Sequence, residues 1–295
     1  MKDISKYSGK IAIPTIILSL FLFTAHIVVF IYCLIGVIPI IAGILTNTIL
    51  CSYMYTVHHE STHGNISGRK PKFKWLDELF GKTAAAFMDL SFTGYSRAHI
   101  AHHKYANSSR DTVVDAHFNS IWGNAGRYLK AMLIKYINII PNKTIVNYLC
   151  GKFLNKKTRV QAKIMLRTYP EISRSNRIAI LILLASFFTE YGSFVLLLWY
   201  VPTLLYPMIN MIIHDWLPHN VYDKEGKRST GKYFDTQIFT WPGSHIITCA
   251  QDYHLIHHMH SDIPFYNYKK TYLHIQDELR ANGAKIKHKT IKKVF

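Results

Sequence analysis

The stretch that decides the fold runs from Ile11 to Val57: IAIPTIILSLFLFTAHIVVFIYCLIGVIPIIAGILTNTILCSYMYTV. It contains no Lys or Arg, and Gly36 and Pro39 interrupt it near the middle. A helix needs about 20 apolar residues to cross about 30 Å of hydrocarbon. The block therefore predicts two transmembrane helices joined by a short turn.

A second apolar block, from Ile178 to Ile213, also lacks Lys and Arg and holds 36 residues. The polar stretch 189–193 divides it, which predicts a hairpin of two further spans. Because the block is short for two spans, we expect its first helix to begin before Ile178, so that both spans lie within about 174–213.

The expected fold is all-α: a polytopic membrane protein with about four transmembrane helices, forming a single domain over residues 1–295. The spans lie within 11–57 and about 174–213. Segments 58–173 and 214–295 form a helical cap.

Positive charges predict the orientation of the chain. The formal net charge is +18, and all 35 Lys and Arg residues lie outside the two apolar blocks. Of these, 20 lie in residues 58–177 and 12 lie between His214 and the end. Since Lys and Arg near span ends are retained in the cytoplasm, both termini and the cap should be cytoplasmic. Topology explains this charge and no nucleic-acid motif accompanies it, so a nucleic-acid partner is not expected.

Three histidine clusters indicate the chemistry: His59 and His63 in HESTH, then HIAHH, then HLIHH. The spacing within each is i, i+3 or i, i+4, so a helix would project each cluster from one face. The last two clusters contribute His99, His102, His103, His254, His257 and His258. On the predicted topology all eight histidines meet on one membrane face.

Eight convergent imidazoles exceed the needs of one metal ion. A structural zinc takes four ligands and a catalytic zinc three plus water. A binuclear iron site with open positions for dioxygen could use all eight, which points to oxidation chemistry.

The motif His59-Glu60-Ser61-Thr62-His63 also matches HExxH, in which two histidines bind zinc and the glutamate is the base of a metallopeptidase. A mononuclear site would leave most of the other six histidines unused. A zinc peptidase is kept as a distant alternative, together with a noncatalytic protein that binds metal or haem through paired histidines.

The three clusters carry a family resemblance. The chain resembles the membrane fatty acid desaturase superfamily, whose histidine boxes have the forms H-x(3,4)-H, H-x(2,3)-H-H and H-x(2,3)-H-H. The segments Asp215-Trp216-Leu217-Pro218-His219 and Asp252-Tyr253-His254-Leu255-Ile256-His257-His258 are also similar to the carotenoid hydroxylase and ketolase branch.

The resemblance implies a nonhaem di-iron centre, with dioxygen as co-substrate, in a four-span bundle under a cytoplasmic cap. The eight box histidines would be the metal ligands. His219 matches a position that supplies a further ligand in relatives, and His214 is its competitor.

Ligand histidines are usually held in one tautomer by a carboxylate or carbonyl on the other ring nitrogen. Five acidic residues are placed in the sequence to do this: Glu60, Asp111, Asp115, Asp215 and Asp252.

The resulting interpretation is an oxidoreductase that oxidises a lipid hydrocarbon chain with dioxygen, by desaturation or hydroxylation. A fatty acyl lipid is the expected substrate, and a carotenoid is the alternative. No flavin, nicotinamide or ferredoxin motif is present, so electrons should come from an external donor such as a ferredoxin. The basic cytoplasmic face would attract an acidic carrier.

Overall fold

The computed structural model describes residues 2–108, 111, 121–137, 139–140, 142–153, 170–222 and 229–288. In this part of the chain the helices are α1 Ile13–Leu34, α2 Ile40–Thr62, α3 Lys74–Phe87, α4 Phe92–Tyr105, α5 Ile121–Ile137, α6 Lys143–Phe153, α7 Pro170–Ser186, α8 Gly192–His219, α9 Ser244–Ile247, α10 His254–Met259 and α11 Tyr268–Ala281. Strands β1 Ile238–Thr240 and β2 Ile286–His288 pair in parallel. The all-α polytopic membrane fold is confirmed, with this short strand pair as an addition.

Three of the described helices are long and apolar enough to cross a membrane: α1, α2 and α8. The break between α1 and α2 falls at residues 35–39, where Gly36 adopts a φ of 74° that suits glycine. Residues 187–191 separate α7 from α8, so the chain breaks at the position predicted for the turn. The described part of α7 is 17 residues long and begins before Ile178, as expected.

Two spans continue beyond the predicted boundaries. Helix α2 extends to Thr62 instead of ending near Val57, and α8 extends to His219 instead of Ile213. The backbone hydrogen bonds of a helix need no apolar side chains, so a span can continue as the same helix past the hydrocarbon. His59 therefore lies on a membrane-spanning helix and not after it.

Buried apolar side chains form two clusters. One joins α1, α2, α3 and α8 through residues that include Leu22, Met54, Phe80 and Tyr206. The other lies within the C-terminal part of the cap and is built mainly by β1, α10 and α11. Burial of these two clusters fixes α2 in the first and α10 in the second, and both helices carry histidines of the boxes.

Candidate metal centre

Box one is carried by the end of α2. His59 lies one turn before the helix end and is 1% exposed, and His63 follows four residues later as the C-cap residue. Because side chains at i and i+4 share a face, both rings point the same way, with centroids 5.0 Å apart.

Box two is carried by α4. Ser91 caps the helix by accepting a hydrogen bond from the Gly94 amide at 3.1 Å, which satisfies one of the amides at the helix start. His99 and His103 then lie four residues apart, and His102 lies on the neighbouring face.

Box three is carried by the six-residue helix α10. Cys249 and Ala250, shortly before it, adopt left-handed backbone conformations with φ of 47° and 65°. This reversal brings the chain back so that His254, His257 and His258 enter the same volume as the first two boxes.

The first of two groups contains five histidines whose ligand atoms all lie within 4.8 Å of one another: His59, His63, His99, His103 and His257. The Nε2 atom of His99 is 3.0 Å from those of His63 and His103, and Nε2 of His257 is 2.8 Å from that of His103. Metal–nitrogen bonds of about 2.1 Å at right angles place neighbouring nitrogens about 3.0 Å apart. The spacing thus fits ligands of a shared ion.

The second group contains His102, His219 and His258. The ring of His219 lies 4.8 Å from that of His102 and 4.9 Å from that of His258, centroid to centroid. His254 is outside both groups by the 4.8 Å criterion, but its ring centroid is 4.7 Å from that of His258. The two groups adjoin, since the rings of His103 and His258 are 4.4 Å apart.

Unpartnered nitrogens support a metal in this volume. Both ring nitrogens of His59 and Nε2 of His258 are buried without a hydrogen-bond partner among the described residues. A buried polar atom without a partner is costly, so a metal ion that accepts its lone pair would relieve that cost.

The protonation states also suit a metal. Burial lowers the pKa of His63 to about 3, and burial together with neighbouring imidazoles lowers the pKa values of His99, His254, His257 and His258 well below 6.5. Only a neutral imidazole can coordinate a metal. At neutral pH these side chains are therefore ready to bind.

One hydrogen-bond chain fixes His257. Its Nδ1 lies 2.8 Å from the hydroxyl of Tyr268, which donates to Oε1 of Glu60 at 3.3 Å. Nδ1–H of His257 donates to Tyr268, which leaves Nε2 for the metal. Glu60 is fully buried, and its Oε2 accepts from the Asn65 side chain and the Phe265 amide, both at 3.2 Å.

Two further histidines have equivalent supports. Nδ1 of His102 lies 2.8 Å from Oδ1 of Asp111, whose Oδ2 accepts from the Asn107 amide at 2.8 Å. Nδ1 of His254 contacts Oε1 of Gln251 at 2.5 Å. Such contacts select the tautomer in which Nε2 is free to coordinate.

A sequence model of the fatty acid desaturase family matches residues 34–290. The chain belongs to the fatty acid desaturase family. Membership makes it a membrane oxidoreductase, and the family together with the two histidine groups supports iron binding. No curated protein sequence matches the chain significantly.

The predicted acidic supports of this desaturase-family chain have four different outcomes. Glu60 and Asp111 lie in the hydrogen-bond networks just described. Asp252 accepts instead from Ser244 at 2.7 Å and from His245 at 3.2 Å, so it holds the preceding turn and not one of the nine histidines. Asp215 lies near Tyr95, whose pKa is raised mainly by burial, then by Tyr55 and to a smaller extent by the charge of Asp215. Asp115 lies outside the described residues.

His214, the alternative candidate for the ninth ligand, belongs to neither histidine group. The ring of His214 packs 4.5 Å from that of Tyr55, and neither group includes His214. His219, one turn further along α8, is the residue that enters the second group. The placement of His219 in this group favours His219 over His214 as the ninth ligand.

Sequence reasoning missed Tyr268 and Gln251, which bond His257 and His254. Gln251 carried a local signal, since it precedes His254 by three residues and i, i+3 positions face each other on a helix. Tyr268 carried none, because it reaches His257 only after the chain turns between α10 and α11.

A groove of about 690 Å³ opens beside His63, between the end of α2 and helices α3 and α4. Its lining includes Arg69, Lys70 and Lys74, and Arg69 donates to the His63 carbonyl at 3.1 Å. Two further cations in the lining are paired, Lys82 with Glu78 at 2.8 Å and Arg97 with Glu171 at 2.7 Å. The groove is therefore a positive surface that reaches a histidine of the first group.

Proposed function

We propose that this protein is a dioxygen-dependent di-iron oxidase that acts on a lipid hydrocarbon chain, with a fatty acyl chain as its substrate. The observation that carries the proposal is the division of the histidines into two adjoining groups of convergent nitrogens. A zinc peptidase needs one such group, whereas two metal ions need two.

His59, His63, His99, His103 and His257 would hold one iron, and His102, His219, His254 and His258 would hold the other. When bound, two reduced irons supply the means to activate dioxygen and remove hydrogen from an unactivated C–H bond. The residues around them hold three of these ligands, His102, His254 and His257, in one tautomer.

Three described contacts perform the orienting role. The Tyr268 hydroxyl accepts a hydrogen bond from Nδ1–H of His257 and donates its own hydrogen to Glu60, so the carboxylate holds the hydroxyl in the orientation that His257 requires. Asp111 does the same for His102, and Gln251 for His254. Both groups are thereby fixed before any substrate binds, as preorganised catalysis requires.

This arrangement argues against Glu60 as the base of a peptidase. Its two carboxylate oxygens already accept three hydrogen bonds, from Asn65, Phe265 and Tyr268, and the side chain is fully buried. A general base must reach the water from which it takes a proton. The contacts of Glu60 assign it instead to the support of His257.

For topology we propose four spans with both termini and the metal centre on the cytoplasmic side. Helix α7 would supply the fourth span, since its described end exposes the large apolar side chains Ile178, Leu181, Ile182 and Leu184. Lipid is the solvent that such a surface requires. The distribution of Lys and Arg sets the orientation.

We propose that electrons come from an acidic carrier, such as a ferredoxin, docked in the groove beside His63. Lys70 and Lys74 are exposed there, and Arg69 links the groove to box one. Complementary charge steers such an encounter and speeds association.

The test is lipid profiling of a strain that expresses the protein, compared with the same strain carrying His257→Ala. The proposal expects a fatty acyl product with an added double bond or hydroxyl group, present only with the unaltered protein and dependent on dioxygen. An oxidised carotenoid in place of an acyl product would assign the alternative substrate. An unchanged lipid profile in a strain with an active ferredoxin system would contradict the proposal.

A further inference from the structure

The turn from Trp241 to Ile247 is apolar in a part of the chain where charge is otherwise dense. Residues 236–251 contain no Asp, Glu, Lys or Arg, although 12 Lys and Arg residues lie between His214 and the end of the chain. The tip of this turn exposes 74% of Ile246 and 54% of Ile247. Two adjacent isoleucines with that exposure are unfavourable in water.

A contact with α2 gives the depth of the turn. The Tyr53 hydroxyl donates to the Ile246 carbonyl at 3.2 Å. Tyr53 precedes His59 by six residues, which places it about 9 Å further along the span at a rise of 1.5 Å per residue. The turn thus lies on the membrane side of the histidine groups.

The same contact places the turn on the lipid-facing side of α2. Ile41, Leu45 and Ile49 precede Tyr53 at intervals of four residues and are 71%, 58% and 52% exposed. Residues at this interval form one stripe on a helix. The tip of the turn therefore continues the membrane-facing stripe of α2 toward the cap.

We propose that the Trp241–Ile247 turn is embedded in the bilayer, with lipid acyl chains packed against Ile246 and Ile247. The turn is tied to box three through Asp252, which lies two residues before His254. The Asp252 carboxylate accepts hydrogen bonds from the side chains of Ser244 and His245 in the turn. The turn consequently anchors box three at the membrane surface. This inference requires only that α2 spans the membrane, and it is independent of the metal and the reaction.

Photo-crosslinking to lipid tests the inference on the full chain in phosphatidylcholine vesicles. A p-benzoylphenylalanine residue is introduced in place of Ile246, and in parallel in place of Ile49 and Leu273. Ile49 is the membrane reference. Leu273 is the water-facing reference, because it is 54% exposed on a face of α11 that also carries Lys269, Asp277 and Arg280.

After irradiation, mass spectrometry measures the fraction of protein that carries a lipid adduct. The inference expects Ile246 to match Ile49 to within about twofold and to exceed Leu273 by about tenfold, since insertion replaces water around the side chain with acyl chains. An adduct yield at Ile246 no higher than at Leu273, with Ile49 labelled normally, would overturn it. Lipid oxidation plays no part in this readout, so its result is separate from that of the proposed function.

Discussion

The hydroxyl of Tyr268 lies 2.8 Å from Nδ1 of His257 and 3.3 Å from Oε1 of Glu60, so a residue of α11 joins box three to box one. This relationship gives a direct test of how the first histidine group is held. Without the hydroxyl, His257 loses the contact that fixes its tautomer, and Glu60 loses one of its hydrogen-bond donors.

We expect Tyr268→Phe to lower iron affinity by about 10- to 100-fold, the usual effect of removing such an outer partner. The measurement is iron retained during dialysis against a graded series of chelator concentrations. Tyr272→Phe is the matched control, because Tyr272 is also buried on α11 but its hydroxyl contacts His288, 3.5 Å away. Equal iron retention by the two variants would contradict the role of Tyr268.

Asp111 supports the second group, since its carboxylate contacts His102. We expect Asp111→Ala to reduce bound iron from about two ions per chain to about one. Only the second histidine group, which binds one of the two ions, loses an orienting contact. Elemental analysis of purified protein measures this. Asp277→Ala, an exposed position on α11, serves as the control. A full iron complement in Asp111→Ala would exclude the assignment.

The histidine spacing could be interpreted from sequence because it depends on local helix geometry. Intervals of three and four residues predict that His99 and His103 share a face, and the structure places both in the first group. Which box joins which group depends on how α2, α4 and α10 pack. No local pattern predicts that His257 belongs to the first group whereas the adjacent His258 belongs to the second, with His102 and His219.

The spans were predictable for the same reason, since apolar length and charge are properties of the local sequence. The parallel pair of β1 and β2 was not, because its three-residue strands are separated by 45 residues and carry no periodic signal. We expected Asp252 to hydrogen-bond to a ligand histidine. Its partner is instead His245, which lies on the turn that precedes box three. Only the fold of that turn determines the pairing.

Backbone strain before box three leads to a stability prediction. Ala250 has a φ of 65°, a conformation that costs a residue with a Cβ about 1–2 kcal/mol. We expect Ala250→Gly to raise the free energy of unfolding by about 0.5–1 kcal/mol, because glycine adopts this φ without steric cost. Denaturant titration in detergent measures it. Ala86→Gly, one residue before the end of α3, replaces an alanine without a left-handed backbone and should bring no such gain. A loss of stability in both variants would refute the strain argument.

The groove beside His63 predicts a charge-dependent reaction with the electron carrier. Reversing Lys70 and Lys74 to Glu should slow reduction by an acidic ferredoxin on the order of 10-fold at low ionic strength, since steering depends on complementary charge. High salt should remove most of the difference. Stopped-flow measurement of carrier oxidation provides the rate. Lys269→Glu and Lys270→Glu, exposed on α11, are the controls, and an equal decrease in them would place docking elsewhere.

The central claim, two irons held by two histidine groups, is tested most directly by metal content in three proteins: the unaltered chain, His258→Ala and His274→Ala. His258 belongs to the second group, whereas His274 packs against Tyr7 outside both groups. The account predicts about two irons per chain in the unaltered protein and in His274→Ala, and about one or none in His258→Ala. One zinc per chain that is retained in His258→Ala would contradict it.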